Sequence, residues 1–215
     1  MGDMRLQSYS AWNIALVEAH RLNTDLAIAE GTRALEISPD PLNTAFASGS
    51  LGLALVEHGD PGAALPWLER STQMLYRFGV LRTAGWMHGY LAHCRLRMGL
   101  LDEARTEGLG ALETTIATGH RWGTGRALRT LGIAAHEAGD LTEARDRLIE
   151  SIATFVHFGG RLDAAVARLD LVRLAHEEGR GEEVVLQLGL ARSALEGVSA
   201  PRWRERMEDL AAELA

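Results

Sequence analysis

The sequence contains no lysine and only one cysteine, and the charge balance and the single cysteine each argue against certain functions or sites. All 22 basic residues are arginine, and with 29 acidic residues the net charge is −7. Proteins that bind nucleic acid concentrate positive charge against the phosphates, so direct nucleic-acid binding is not expected. Cys94 by itself cannot form an internal disulfide or a multi-cysteine metal site. Its place in an apolar helical pattern predicts a small core residue.

Long apolar runs are also missing. No stretch approaches the roughly 18 apolar residues of a membrane span, and the first residues, "MGDMRLQSYSAWNIALVEAH", lack the order of charged, apolar and small residues that marks a signal peptide. We therefore expect a chain that stays out of the membrane and resides in the cytoplasm. An apolar fraction of 47% over 215 residues is enough for a continuous core.

A repeat of 40 residues runs through most of the chain. Its markers are one glycine series, a second glycine series half a period away, a leucine series and a small-residue series: Gly59, Gly99, Gly139 and Gly179; Gly79, Gly119 and Gly159; Leu51, Leu91, Leu131 and Leu171; Ala64, Ala104, Ala144 and Val184. The residues between the glycines have helical periodicity. Each period therefore predicts a helix, a turn, a second helix and a second turn.

Residues at the turns support this interpretation. Gly59 can adopt the positive φ that ends a helix, and Asp60 followed by Pro61 is typical of an N-cap with proline at the first helical position. Asp140 with Glu143 has the spacing of a capping box. These signals predict that a second helix begins directly after each turn glycine.

The leucine-glycine, glycine-aspartate and alanine positions together resemble the tetratricopeptide repeat. The matching residues are Leu51-Gly52, Gly59-Asp60 and Ala64 in one copy, Leu131-Gly132, Gly139-Asp140 and Ala144 in another, and Ile14-Ala15, Ala27, Ala34 and Pro39 in a divergent first copy, with Leu22 at the turn-glycine position. The resemblance covers residues 8 to 200. In its long period it is similar to the repeat arrays of large bacterial signalling ATPases, cyclases and transcriptional activators.

The resemblance implies an all-α, right-handed solenoid of about five helix-turn-helix repeats. On this basis residues 1–215 form a single domain, with repeats at 8–41, 45–80, 81–120, 121–160 and 161–200. The segment 201–214, "PRWRERMEDLAAEL", would be an amphipathic capping helix, which covers the last repeat.

In this family one side of each first helix lines a concave groove, and the resemblance places nine candidate ligand-binding residues there: Tyr9, Trp12, Phe46, Trp86, His93, Arg97, Arg126, Arg129 and Arg173. Aromatic residues dominate the N-terminal part and arginines the C-terminal part. Arginine holds a carboxylate in a bidentate fork, so the pattern favours an extended peptide with an apolar anchor followed by acidic groups or a free carboxylate. The same residues could instead pack between repeats or pair with nearby carboxylates such as Glu137 and Glu177.

The resemblance favours a non-catalytic binding module. Its partner would be a protein or peptide segment, or another domain of the same chain, and the module would be the regulatory or scaffolding region of a larger bacterial signalling or transcription-regulatory protein. Two alternatives stay open. One is a sensor of a sugar or other metabolite, with a pocket near Trp86, His93, Arg97, Arg126 and Arg129. The other is a homodimerisation module.

Catalytic and cofactor motifs are incomplete, so we expect no enzyme activity, cofactor or metal. The His-Glu pairs at 136–137 and 176–177 lack a second histidine four residues after the first, because Asp140 and Arg180 stand there. The Gly-x-Gly of "RWGTGRAL" has no third glycine at the required spacing and no preceding strand, so it is not a dinucleotide-binding fingerprint. His88 and His93 are five residues apart, whereas two ligands on one helix face need a spacing of four.

Overall fold

The computed structural model describes residues 2–214, with side chains from residue 4, and this part of the chain is helical without any strand. Eleven helices follow one another within it: α1 Gly2–His20, α2 Thr24–Glu36, α3 Pro41–His58, α4 Pro61–Arg77, α5 Leu81–Arg97, α6 Leu101–Ala117, α7 Arg121–Glu137, α8 Leu141–His157, α9 Arg161–Glu177, α10 Gly181–Leu195 and α11 Pro201–Glu213. No helix in this range is long and apolar enough to cross a bilayer.

Short turns join the helices into antiparallel pairs: α1 with α2, α3 with α4, α5 with α6, α7 with α8, and α9 with α10. The all-α fold of tetratricopeptide-like helix pairs that the repeat predicts is confirmed. The first pair begins at Gly2, ahead of the expected residue 8. The structure divides into two compact units, and we describe residues 2–120 as unit 1 and residues 121–214 as unit 2. A single domain over 1–215 stays a prediction.

The turn glycines have the backbone that the sequence implies. Gly139 has a φ of +83°, and its N–H donates to the carbonyl of His136 while the next N–H, of Asp140, donates to the carbonyl of Ala135. Leu22, the residue that replaces a turn glycine in the first pair, adopts a φ of +65° with the same two hydrogen bonds. A leucine there is strained, because its side chain crowds the backbone in the left-handed region.

Aspartates cap the second helices as expected. Asp60 Oδ1 accepts from Ala63 N–H, and Asp140 Oδ1 accepts from Glu143 N–H, each at 2.9 Å. The return bond of a capping box at Asp140 has no donor to use, because the Asp140 N–H is bound to the Ala135 carbonyl. The cap itself is sufficient to fix where α8 begins.

Small residues let the two helices of a pair approach closely. In unit 1, a Cβ added to Gly52 would lie 2.5 Å from Leu68 Cγ. In unit 2, a Cβ on Gly132 would lie 2.9 Å from Leu148 Cγ. Leu68 and Leu148 are buried, and so are Ala64, Ala104 and Ala144 of the small-residue series. The leucine-glycine and alanine positions of the repeat are thus packing positions, with the core between the helices of each pair.

Candidate functional site

In unit 1, an aromatic surface lies on the first helices of the first two pairs. Trp12 of α1 stacks on Phe46 of α3 with ring centroids 5.1 Å apart, and Tyr9 stands edge-on to Trp12 at 4.9 Å. Tyr9 is 54% exposed, whereas Trp12 is only 6% exposed, and Phe46 is half-buried. The Trp12 indole N–H has no acceptor among the described residues. We call Tyr9, Trp12 and Phe46 the aromatic surface.

A second aromatic group in unit 1 surrounds Trp86. Its ring lies 5.9 Å from that of Tyr90 and 5.6 Å from that of His120. Tyr90 is buried, and its hydroxyl is 2.9 Å from His20 Nε2, so a polar contact joins α5 to α1. Burial lowers the pKa of His120, and the cation of Arg82 lowers it further. Trp86 itself is half-buried.

His93 and Arg97, both on α5, differ in their surroundings. His93 is buried, and its Nε2 lies 3.6 Å from the Glu57 carboxylate of α3, which is buried as well. Arg97 is exposed in the last turn of α5 and forms no ion pair with any residue in the described range. The sequence pattern assigns these two residues to one stripe, but only Arg97 offers its charge to solvent.

In unit 2, the arginines that are predicted to bind a ligand lie next to carboxylates of α9. Arg129 Nε lies 2.5 Å from Asp170 Oδ2, and both side chains are nearly buried. Arg173 Nη1 is 3.6 Å from the other oxygen of the same Asp170, although its own side chain is half exposed. Arg126 is 9% exposed and lies 3.9 Å from Asp163 and over the ring of Trp122. Arg126 and Arg129 therefore already have anionic neighbours within their own unit.

These contacts belong to a regular series between α7 and α9. Trp122 Nε1 donates to Asp163 at 2.9 Å, Arg129 pairs with Asp170, and His136 Nε2 lies 2.7 Å from Glu177. Each pair is separated by 41 residues, one more than the repeat, and successive pairs are seven residues apart, which is two helical turns. The series ties α7 and α9 together along their lengths. Of these carboxylates, the sequence alone predicts only Glu177 as an arginine partner.

A polar network that the sequence does not reveal lies in unit 1. The Tyr76 hydroxyl is 3.0 Å from both His88 Nδ1 and Thr114 Oγ1, and His88 Nε2 binds Glu107. Burial raises the pKa of Tyr76. The residues come from α4, α5 and α6 at separations that no short motif contains. The network connects three helices and leaves His88 with partners on both ring nitrogens.

The described residues form neither a metal-binding cluster nor a reactive cysteine. No group of three histidine, cysteine or acidic side chains is placed to hold a metal ion within residues 4–214. Cys94 is buried, its thiol donates to the Pro61 carbonyl at 3.2 Å, and burial raises its pKa to about 11. A thiol with so high a pKa is a poor nucleophile at neutral pH, because the thiolate is the reactive form.

Unit 2 contains an open cleft of about 440 Å³ between α7 and α8. Its lining residues are Arg121, Thr124, Glu150, Ala153, Thr154 and His157. None of them belongs to the pocket near Trp86 and Arg129 that the metabolite-sensor alternative requires. The cleft is wide open to solvent and has the exposed Arg121 and Glu150 at its border, whereas small-molecule sites enclose most of their ligand.

One known family model matches the middle of the chain. Residues 83–155 match the family model described as tetratricopeptide repeat. No curated protein matches the sequence. The match covers the third helix pair and most of the fourth.

Solved structures share the fold at low sequence identity. A Rap protein complexed with Competence and Sporulation Factor superimposes with a TM-score of 0.82 at 16% identity, covering 94% of this chain and 57% of that one. The Rap conjugation gene regulator of the plasmid pLS20, in complex with the Phr* peptide, gives 0.80 at 16%, covering 96% and 58%. A Podosopora anserina putative kinesin light chain with nearly identical TPR-like repeats gives 0.59 at 16%, covering 91% and 96%. The chain thus spans somewhat more than half the length of the two Rap proteins.

Proposed function

We propose that this chain, in which residues 83–155 match the tetratricopeptide repeat, is a non-catalytic module that binds a peptide or protein segment. The observation that carries the proposal is the aromatic surface of unit 1. Tyr9 is 54% exposed and Phe46 is half-buried, and both lie on first helices. Aromatic side chains at a surface are the usual anchors of protein recognition, because they bury much area at low entropic cost.

The partner class is suggested by the structural neighbours. Two chains with the same fold hold a peptide or a named factor in their solved structures. At this low sequence identity, the similarity to these two chains shows only a shared fold. That the aromatic surface binds a peptide is our own extension of that similarity. We further propose that the module belongs to a larger bacterial signalling or transcription-regulatory protein, consistent with the greater length of those neighbours.

The nine candidate residues divide into two roles in this proposal. Tyr9, Phe46 and Trp86 receive an apolar side chain of the ligand, and Arg97 of the same unit offers an exposed cation to an acidic group. The remaining five, Trp12, His93, Arg126, Arg129 and Arg173, are positioning residues, and Arg173 is paired with Asp170. They are buried or paired, and they hold the first helices in place behind the exposed side chains.

An array of synthetic linear peptides tests the proposal. Each peptide carries one aromatic or leucine residue at varied distance from acidic residues, with matched sets in which lysine replaces the acidic residues. We expect labelled full-length protein to bind peptides with both the apolar residue and the acidic residues, and to lose binding in the lysine set. Equal binding to both sets, or to neither, contradicts the proposal.

A further inference from the structure

Helix α10 carries an exposed apolar strip. Val185, Leu186 and Leu190 are 72%, 57% and 40% exposed, and Gly189 lies between them on the same side of the helix. Their spacing of one, three and four residues places them together on adjacent turns. We call these four residues the α10 strip. Three large aliphatic side chains in one exposed strip are unusual, because the removal of their apolar surface from water would be favourable in free energy.

The preceding repeat has charged residues at most positions of this strip. The residues 40 positions earlier, on α8, are Arg145, Asp146, Ile149 and Glu150. Three of these four are charged, and Arg145 pairs with Glu183 at 2.8 Å in the following helix pair. On α10 all three charged positions are aliphatic. The opposite side of α10 is already in use, because Ala191 and Leu195 pack with Met207 of α11.

We propose that the α10 strip is a self-association surface, on which α10 of a second copy of this chain packs in the antiparallel direction. Antiparallel pairing about the middle of the strip sets Val185 against Leu190 of the second copy and Leu186 against its Gly189. The glycine has no side chain, and nothing lies within 4 Å of the position of an added Cβ, so the leucine has room to approach its backbone. Two-fold symmetry repeats each contact, as in most homodimers.

Charges at the two ends of the strip favour a second copy. The exposed Glu182 lies one turn before Val185, and the exposed Arg192 lies just after Leu190. In the antiparallel arrangement, Glu182 of each copy lies near Arg192 of the other, so the same surface is complementary to itself in shape and in charge. Arg192 currently binds Glu208 of α11 at 2.8 Å, an exposed pair that can be shared or exchanged at little cost.

The size of the surface sets the strength of the association. Helix α10 has 15 residues and is about 22 Å long. One helix per copy places the interface at the small end of specific interfaces. The account therefore predicts a monomer–dimer equilibrium that shifts with concentration. This surface is independent of the aromatic surface in unit 1, so dimerisation and peptide binding can fail separately.

The first test replaces leucines of the α10 strip by the acidic residues that α8 has at the corresponding positions. Leu186→Asp and Leu190→Glu each remove one buried aliphatic contact per copy, and each should weaken dimerisation by about tenfold or more in sedimentation velocity. Ile149→Asp is the matched control, an equally apolar and exposed residue on α8 that should leave the equilibrium unchanged. Thermal unfolding of each variant verifies that it is folded.

The second test exchanges the end charges. One protein carries Glu182→Arg, and the other carries Arg192→Glu with Glu208→Arg, which keeps the bond to α11 with its charges reversed. Each protein alone should dimerise less than the original chain, and an equimolar mixture should recover a heterodimer. A chain that remains monomeric at every concentration, or dimers that ignore both the Leu186→Asp change and the charge exchange, would overturn the proposal.

Discussion

Arg129 of α7 and Asp170 of α9 form an ion pair in which both side chains are nearly withdrawn from solvent. The pair joins the first helices of two successive helix pairs in unit 2. It is the central member of the series that also includes Trp122 with Asp163 and His136 with Glu177. Arg129 therefore has a structural role that accounts for its place on the first-helix stripe, and its contribution to ligand binding would act through the position of α9.

We expect Asp170→Ala to destabilise the protein by about 3 kcal/mol, because it removes a hydrogen-bonded carboxylate from a nearly buried guanidinium. Replacement of both residues, Arg129→Leu with Asp170→Leu, should cost less than Asp170→Ala, since the nearly buried cation is removed as well and Arg173, which also contacts Asp170, is half exposed to solvent. Urea unfolding followed by circular dichroism measures both. As a control, Asp209→Ala changes an exposed aspartate of α11 and should have little effect. An Asp170→Ala protein as stable as the original would show that the pair contributes nothing.

Two glycines 40 residues apart should respond oppositely to alanine. A Cβ on Gly49 would lie 2.4 Å from Met87 Sδ and 2.7 Å from Ser71 Oγ, whereas a Cβ on Gly89 would lie 4.0 Å from its nearest neighbour, Ala111. Met87 and Ser71 are fully buried and cannot move into solvent. Gly49→Ala should cost about 1–3 kcal/mol of unfolding free energy through overpacking.

Gly89→Ala should instead stabilise the protein by about 0.5–1 kcal/mol, because alanine loses less entropy than glycine in a helix. Thermal and urea unfolding of the two variants, measured side by side, provide the comparison. A Gly49→Ala protein as stable as the original would refute the close packing at Gly49, and a destabilised Gly89→Ala protein would refute the space at Gly89.

The N-cap of α3 should give a pH-dependent contribution to stability. Asp40 Oδ1 accepts from Asn43 N–H at 2.9 Å. This backbone bond lowers the pKa of Asp40, against the effect of burial, and the Asn43 side chain and Arg5 lower it further. A carboxyl with a depressed folded-state pKa stabilises the protein fully above its unfolded pKa of about 4, and loses that contribution as the pH falls through the folded value.

Asp40→Ala should therefore cost about 1 kcal/mol at neutral pH, and the difference from the original chain should shrink in acid below about pH 4. Asp40→Asn keeps a capping oxygen without a titrating group, so its difference from Asp40→Ala should not vary with pH. Urea midpoints from neutral pH to acid measure these differences. An Asp40→Ala penalty that is constant over this range would contradict the role of the charged cap.

Much of the fold could be predicted because one short pattern is repeated. The turn at Gly139, the cap at Asp140 and the close approach of Gly132 to Leu148 depend on residues near each other in sequence, and each has the structure its residue type favours. Even Leu22 takes the left-handed backbone, since the periodicity places a turn there.

The candidate site was less predictable, because its contacts join residues far apart in sequence. The resemblance assigns Trp12 and Tyr9 to the same stripe, yet one is buried and the other half exposed. The partner of Arg129 lies 41 residues away on α9, an offset that the sequence could have indicated. The partner of Arg126, Asp163, is 37 residues away and does not follow that offset. The network of Tyr76, His88 and Glu107 has no such regular offset.

The most direct test of the central claim measures peptide affinity at the aromatic surface. Using the tightest peptide from the array, isothermal titration calorimetry compares Tyr9→Ala and Phe46→Ala with Leu109→Ala, which removes an exposed apolar side chain from α6. We predict at least about a tenfold loss for each aromatic variant, typical of a truncated anchor, with Leu109→Ala and the unfolding midpoints close to those of the original chain. Peptide affinity that is unchanged in both aromatic variants would contradict the account.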